Sequence, residues 1–104
     1  MFPKHSRYKT RGIDENVSEP LQLLMWQLID RDLDECVTFD YLQVFELFAG
    51  YVDGKPVQHI CHRQEQPKRS RLHTISGIDK SLTKLKVWVI DSGTYCTMLL
   101  PEEY

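Results

Sequence analysis

No glycine-rich phosphate loop, no G-x-S-x-G and no H-E-x-x-H occurs in these 104 residues. The chain therefore lacks the short signatures of nucleotide binding, serine hydrolysis and zinc proteolysis. Three cysteines, Cys36, Cys61 and Cys96, form no C-x-x-C pair, which removes zinc-ribbon and thioredoxin-type sites. Their odd number and wide spacing read as buried thiols, since a free cysteine packs as a small hydrophobe. The longest apolar runs, such as Leu23–Trp26 and Val87–Ile90, are far too short to span a bilayer. The opening MFPKHSRYKTRG is basic but has no apolar core of a secretory signal. These absences point to the cytoplasm and away from membranes.

What is present suits one domain over residues 1–104, long enough to bury a core without metal or disulfide staples. Hydrophobic residues make up 41 % and charged residues 27 %, ordinary values that argue against global disorder. The segment from Ser18 to about Asp32 carries the one sustained helical period. Leu21, Leu24, Met25, Leu28 and Ile29 fall on one face, and Leu23 and Trp26 widen it. Ser18 stands at the N-cap, Glu19 and Pro20 suit the first turn, and Val17 is placed to staple. Asp30, Asp32, Asp34 and Glu35 put negative charge at the negative helix end, so fraying is expected between Asp30 and Cys36.

The rest reads as strands. Arg7–Ile13 alternates bulky and charged residues as an edge strand, and Gly12, Asp14 and Asn16 mark a turn. Val37–Phe48 is rich in β-branched and aromatic residues. Its two apolar faces, Tyr41, Phe45, Leu47 and Leu42, Val44, Phe48, predict a central strand covered on both sides. Asp53-Gly54 signals a hairpin into Val57–Arg63. Lys68–Ile75 fits an edge strand or a loop, and Ile78–Thr83 a loose helical turn. Leu85–Ile90 and Tyr95–Leu100 form a second hairpin around Asp91–Thr94. The aromatics Trp26, Phe39, Tyr41, Phe45, Phe48 and Trp88 are assigned to the core. The sum is an α+β fold, an antiparallel sheet of five or six strands in hairpins with one main helix across one face.

Chemistry is sparse. His59 and His62 would point to opposite faces of a strand, and His59 with Cys61 supplies two ligands where zinc needs three or four. A Cys61 nucleophile with a histidine base would also need a third orienting group. No metal, cofactor or catalytic residue is therefore assigned. Charge is uneven: +4 over residues 1–13, −9 over 14–53, +6 over 54–90 and −3 thereafter. The polar run Arg63, Gln64, Glu65, Lys68, Arg69 and Arg71 is the candidate docking patch. Its bland reading is a solvated loop and edge strand whose charges block edge pairing.

Four stretches, RYKTRGI, DYLQVFELF, HRQEQP and VIDSGTYCTMLLPEEY, occur in order around the helix. Together they resemble a small family of Gram-positive bacterial proteins known as staphylococcal proteins of unknown function. The resemblance implies a small bacterial cytoplasmic domain and defines no site residues to carry over. The expected role is a non-enzymatic protein-interaction module, in the form of a homodimer or bound to another protein, because one helix covers only one sheet face. The alternatives are a nucleic-acid-associated protein using Arg63, Lys68, Arg69 and Arg71, and a small-ligand or thiol site near His59 and Cys61.

Overall fold

The computed structural model describes residues 1–35, 38–77 and 82–104. Six strands form one sheet: β1 (Arg7–Lys9), β2 (Leu42–Val52), β3 (Lys55–Gln64), β4 (Arg69–Ile75), β5 (Lys84–Asp91) and β6 (Cys96–Leu99). Their order is β1-β6-β5-β2-β3-β4. All neighbours run antiparallel except β1 and β6, which are parallel. The sheet is thus mixed, and the chain is α+β as expected.

A short helix α1 (Arg11–Asn16) and the long helix α2 (Glu19–Asp34) follow β1. The first corrects the expected Arg7–Ile13 strand. Thr10 caps α1 by accepting from the Ile13 amide at 3.3 Å, which stops the strand at Lys9. Gly12, read as turn material, lies inside α1 because the Glu103 carboxylate accepts from its amide at 3.1 Å.

Helix α2 buries Leu21, Met25, Leu28 and Ile29, the face its spacing predicts. Val17 is buried beside them, whereas Leu23 is exposed. The expected fraying is not seen among the described residues, where α2 continues through Asp34. Asp30 is bonded by Arg7 Nη1 at 3.1 Å, and Asp32 meets Arg69 and Arg71. These cations offset the unfavourable charge at the helix end. Arg7 also stacks on Trp26, 4.7 Å from the ring centre, tying β1 to α2.

Beneath α2 lie Phe45, Leu47, Ile60, Val87, Val89, Cys96 and Met98, all buried. Strand alternation puts these on one sheet face. Strand β2 is central, between β3 and β5, but only this face is roofed. The expected burial of both sides holds only in part: Val44 on the opposite face is buried and Leu42 half-buried. Phe45 is fully buried, while Tyr41 and Phe48 are exposed. Strand β2 also starts later than expected, at Leu42. The hairpin turn is as the sequence demands: Asp53 and Gly54 both take positive φ, 52° and 76°, the type I′ geometry. The helical turn expected over Ile78–Thr83 lies mostly outside the described residues, as does Cys36.

Candidate functional site

Two regions hold the chemically interesting side chains. One is a buried polar chain under β3 and β4; the other is the open face of the sheet.

The polar chain begins at Gln43, which interrupts the apolar inner face of β2. Its amide nitrogen donates to the Asp40 carbonyl and to Gln64 Oε1, both at 2.9 Å. Its own oxygen must then accept from His62 Nε2, 2.7 Å away, which places the neutral ring's proton on Nε2. His62 stacks on Phe45 with ring centres 4.3 Å apart. Nδ1 faces the Asp32 carboxylate at 3.6 Å. Burial drives the His62 pKa down to about 4, against the pull of Asp32 and with help from Arg69, His73 and Arg71. Asp32, 2 % exposed, is neutralised instead by Arg69 at 3.3 Å and Arg71 at 3.4 Å. Gln64 closes the chain by donating to the Thr38 and Pro67 carbonyls. Gln43, His62 and Gln64 are all buried and bonded within the chain. The arrangement clamps β2, β3 and the flanking loops to α2 rather than presenting a reactive group. The sequence signalled it only through glutamines at positions facing the core.

This geometry divides the six patch residues. Arg63, Gln64, Glu65, Lys68 and Arg69 line one cavity of about 260 Å³ with Ser70, while Arg71 lies further along β4. Arg63 pairs with Glu46 at 2.6 Å on the open face. Gln64 is buried, and Arg69 and Arg71 turn inward to Asp32, with Arg71 also 3.9 Å from Glu35. Glu65 and Lys68 are exposed. Every arginine of the run thus already meets a carboxylate.

His59 and Cys61 share the open face, as alternation requires, but bond to different partners. His59 Nδ1 lies 2.9 Å from Thr74 Oγ1, and Cys61 Sγ lies 3.5 Å from Ser70 Oγ. The His59 ring rests over Gly50, where an added Cβ would approach within 2.5 Å. Among the described residues no group of three or more His, Cys, Asp or Glu is placed to hold a metal. No helix among them is long and apolar enough to cross a membrane.

The open face is built in rows set by strand register. One row runs Tyr8, Thr97, Ile90, Leu42. The next runs Leu99, Trp88, Val44, Arg63, and the third Lys86, Glu46, Cys61, Leu72. Tyr104 packs edge-on against Trp88 and Tyr95 against Tyr8. Helix α2 lies on the other face, yet Val44 and Leu99 are buried here, and the 3-10 turn Pro101–Glu103 leads Tyr104 onto Trp88.

A family model described as staphylococcal protein of unknown function (DUF960) matches residues 6–103. A crystal structure of a protein of unknown function from Enterococcus faecalis shares the fold, with a TM-score of 0.75 and 23 % identity. The similarity covers 100 % of this chain and 98 % of that one. Among curated proteins none matches.

Proposed function

We propose that this chain, which belongs to the family of staphylococcal proteins of unknown function, is a non-enzymatic docking module that closes its open sheet face with a second copy of itself. The observation that carries this is the apolar content of the rows from Tyr8 to Leu42 and from Leu99 to Val44, opposite the face that α2 covers: Tyr8 is exposed and Leu42, Trp88 and Ile90 are half-buried, while Val44 and Leu99 are already buried within the chain. Contiguous apolar surface of this kind marks association sites.

Area and charge both favour a second copy as the occupant. Six strands spaced about 4.8 Å apart, over about six residues of length, give roughly 500 Å² per copy. Two such faces reach about 1,000 Å², the lower bound for a specific interface. The third row opens with opposite signs, Lys86 and Glu46, the latter also paired with Arg63 of the second row. A two-fold axis lets Glu46 of one copy face Lys86 of the other, so the face complements itself. The geometry favours this over a nucleic-acid role, because Arg63, Arg69 and Arg71 already meet acids. A cytoplasmic setting fits, since Cys61 and Cys96 are free thiols and disulfides are rare there.

Sedimentation across micromolar concentrations tests the reading. The chain is expected to associate, and Leu42→Lys with Ile90→Lys is expected to halve the assembly mass while far-UV circular dichroism stays unchanged. A monomeric wild type, or a mass unmoved by the paired lysines, overturns it.

A further inference from the structure

Nearer the Asp53-Gly54 hairpin a fourth row crosses the open face: Lys84, Phe48, His59 and Thr74. Between it and the row of Lys86 and Glu46 lies a cavity of about 290 Å³, with Glu46, Phe48, Lys84 and Lys86 in its lining. Strand alternation points those four side chains to one face. The volume is close to the lower end of ligand cavities, about 300 Å³.

The lining joins a flat apolar ring to unbalanced positive charge. Phe48 is 37 % exposed. His59 tilts against its ring with centres 5.0 Å apart, and Thr74 lies 2.9 Å from His59 Nδ1, so the ring is supported from one side. Lys84 and Lys86 are exposed. Among the described residues neither takes part in an ion pair. The one acid in the lining, Glu46, is already paired with Arg63 at 2.6 Å.

We infer that this cavity is a binding site for a small planar aromatic anion, of the nucleoside monophosphate kind, with its ring against Phe48 and its phosphate between Lys84 and Lys86. Alternate residues of a strand stand about 7 Å apart, so the two ammonium groups reach one phosphate from either side. Stacking on an aromatic side chain and charge attraction act on separate parts of such a ligand, and it collects both.

A nucleic-acid strand is the poorer occupant. Each further phosphate needs a further cation. The row beyond Phe48 holds Gly50 and Val57, and the row before it continues into Cys61 and Leu72. The nearest arginine, Arg63, is bonded to Glu46. Charge is thus complete for a single phosphate. Lys86 also serves the contact between copies proposed above, so a bound anion competes there with the second copy's carboxylate. The site itself stands without that contact.

The test titrates the full chain with adenosine monophosphate and follows its amide signals by NMR. Shifts are expected at Phe48, Lys84 and Lys86, with half-saturation below about 1 mM. Adenosine, which lacks the phosphate, and inorganic phosphate, which lacks the ring, should each bind at least about tenfold more weakly. Lys84→Ala with Lys86→Ala should weaken the nucleotide and leave adenosine unmoved, whereas Phe48→Leu should weaken both and leave inorganic phosphate unmoved. Far-UV circular dichroism checks that these exposed sites leave the fold intact. The Leu42→Lys, Ile90→Lys chain should bind at least as tightly as wild type, so loss of association and loss of binding are told apart. No shift at those three residues, inorganic phosphate binding as tightly as the nucleotide, or a hexa-adenylate strand binding more than about tenfold tighter overturns the inference.

Discussion

His62 shows how much a single side chain's environment sets its chemistry. Its pKa of about 4 lies below the ordinary 6.5, so on acidification the unfolded chain takes the proton first. The stability it contributes is complete above pH 6.5 and declines as pH falls toward 4; below that this group adds no further slope. The difference corresponds to about 3 kcal/mol. Urea titrations between pH 7.5 and 4.5 should therefore show a steep loss, and His62→Gln should flatten it whatever its effect on stability at neutral pH. An unchanged slope in the variant would place the proton elsewhere. The sequence revealed that His59 and His62 point apart, because strand period alone fixes that. It did not reveal that His62 is neutral, because that depends first on its burial and then on Arg69, His73 and Arg71 brought in from β4.

Among the elements, glutamines do what turn sequences do not. Gln58 is fully buried; it donates to the Phe48 carbonyl at 3.0 Å and accepts from the Leu82 amide at 2.7 Å. It thereby stitches the segment entering β5 to the middle of the sheet. Gln58→Ala strands those backbone groups and should cost about 2 kcal/mol, read as a lower urea midpoint, with faster amide exchange at Leu82. Helix α2 was legible from its apolar period, and the Asp53-Gly54 hairpin from its dipeptide. Helix α1 was not, because Gly12 reads locally as a breaker and the Glu103 carboxylate that holds it lies near the far end of the chain. The length of α2 was hidden for the same reason. Its acidic end looks unstable until Arg7, Arg69 and Arg71 arrive from other strands.

At the scale of the whole molecule, the class and the single roofing helix were readable, while the strand order was not. Nothing local in Arg7–Lys9 says that it lies parallel to β6, or that β2 separates β3 from β5. The polar run from Arg63 to Arg71 suggests one patch because its residues are close in sequence. The pleat divides it, sending Arg63 to the open face and Arg69 and Arg71 to the roofed one.

The order of the strands also bears on time. Strands β2, β3 and β4 join through successive hairpins, but β2 reaches β5 across a long excursion, and β1 pairs with β6 from opposite ends of the sequence. Loop closure makes such distant pairings late and slow. Gly54→Ala, at φ 76°, should therefore slow refolding, whereas Arg7→Ala should hasten unfolding and leave the refolding rate nearly unmoved. Stopped-flow chevrons with the reverse assignment would mean that the ends of the chain meet first.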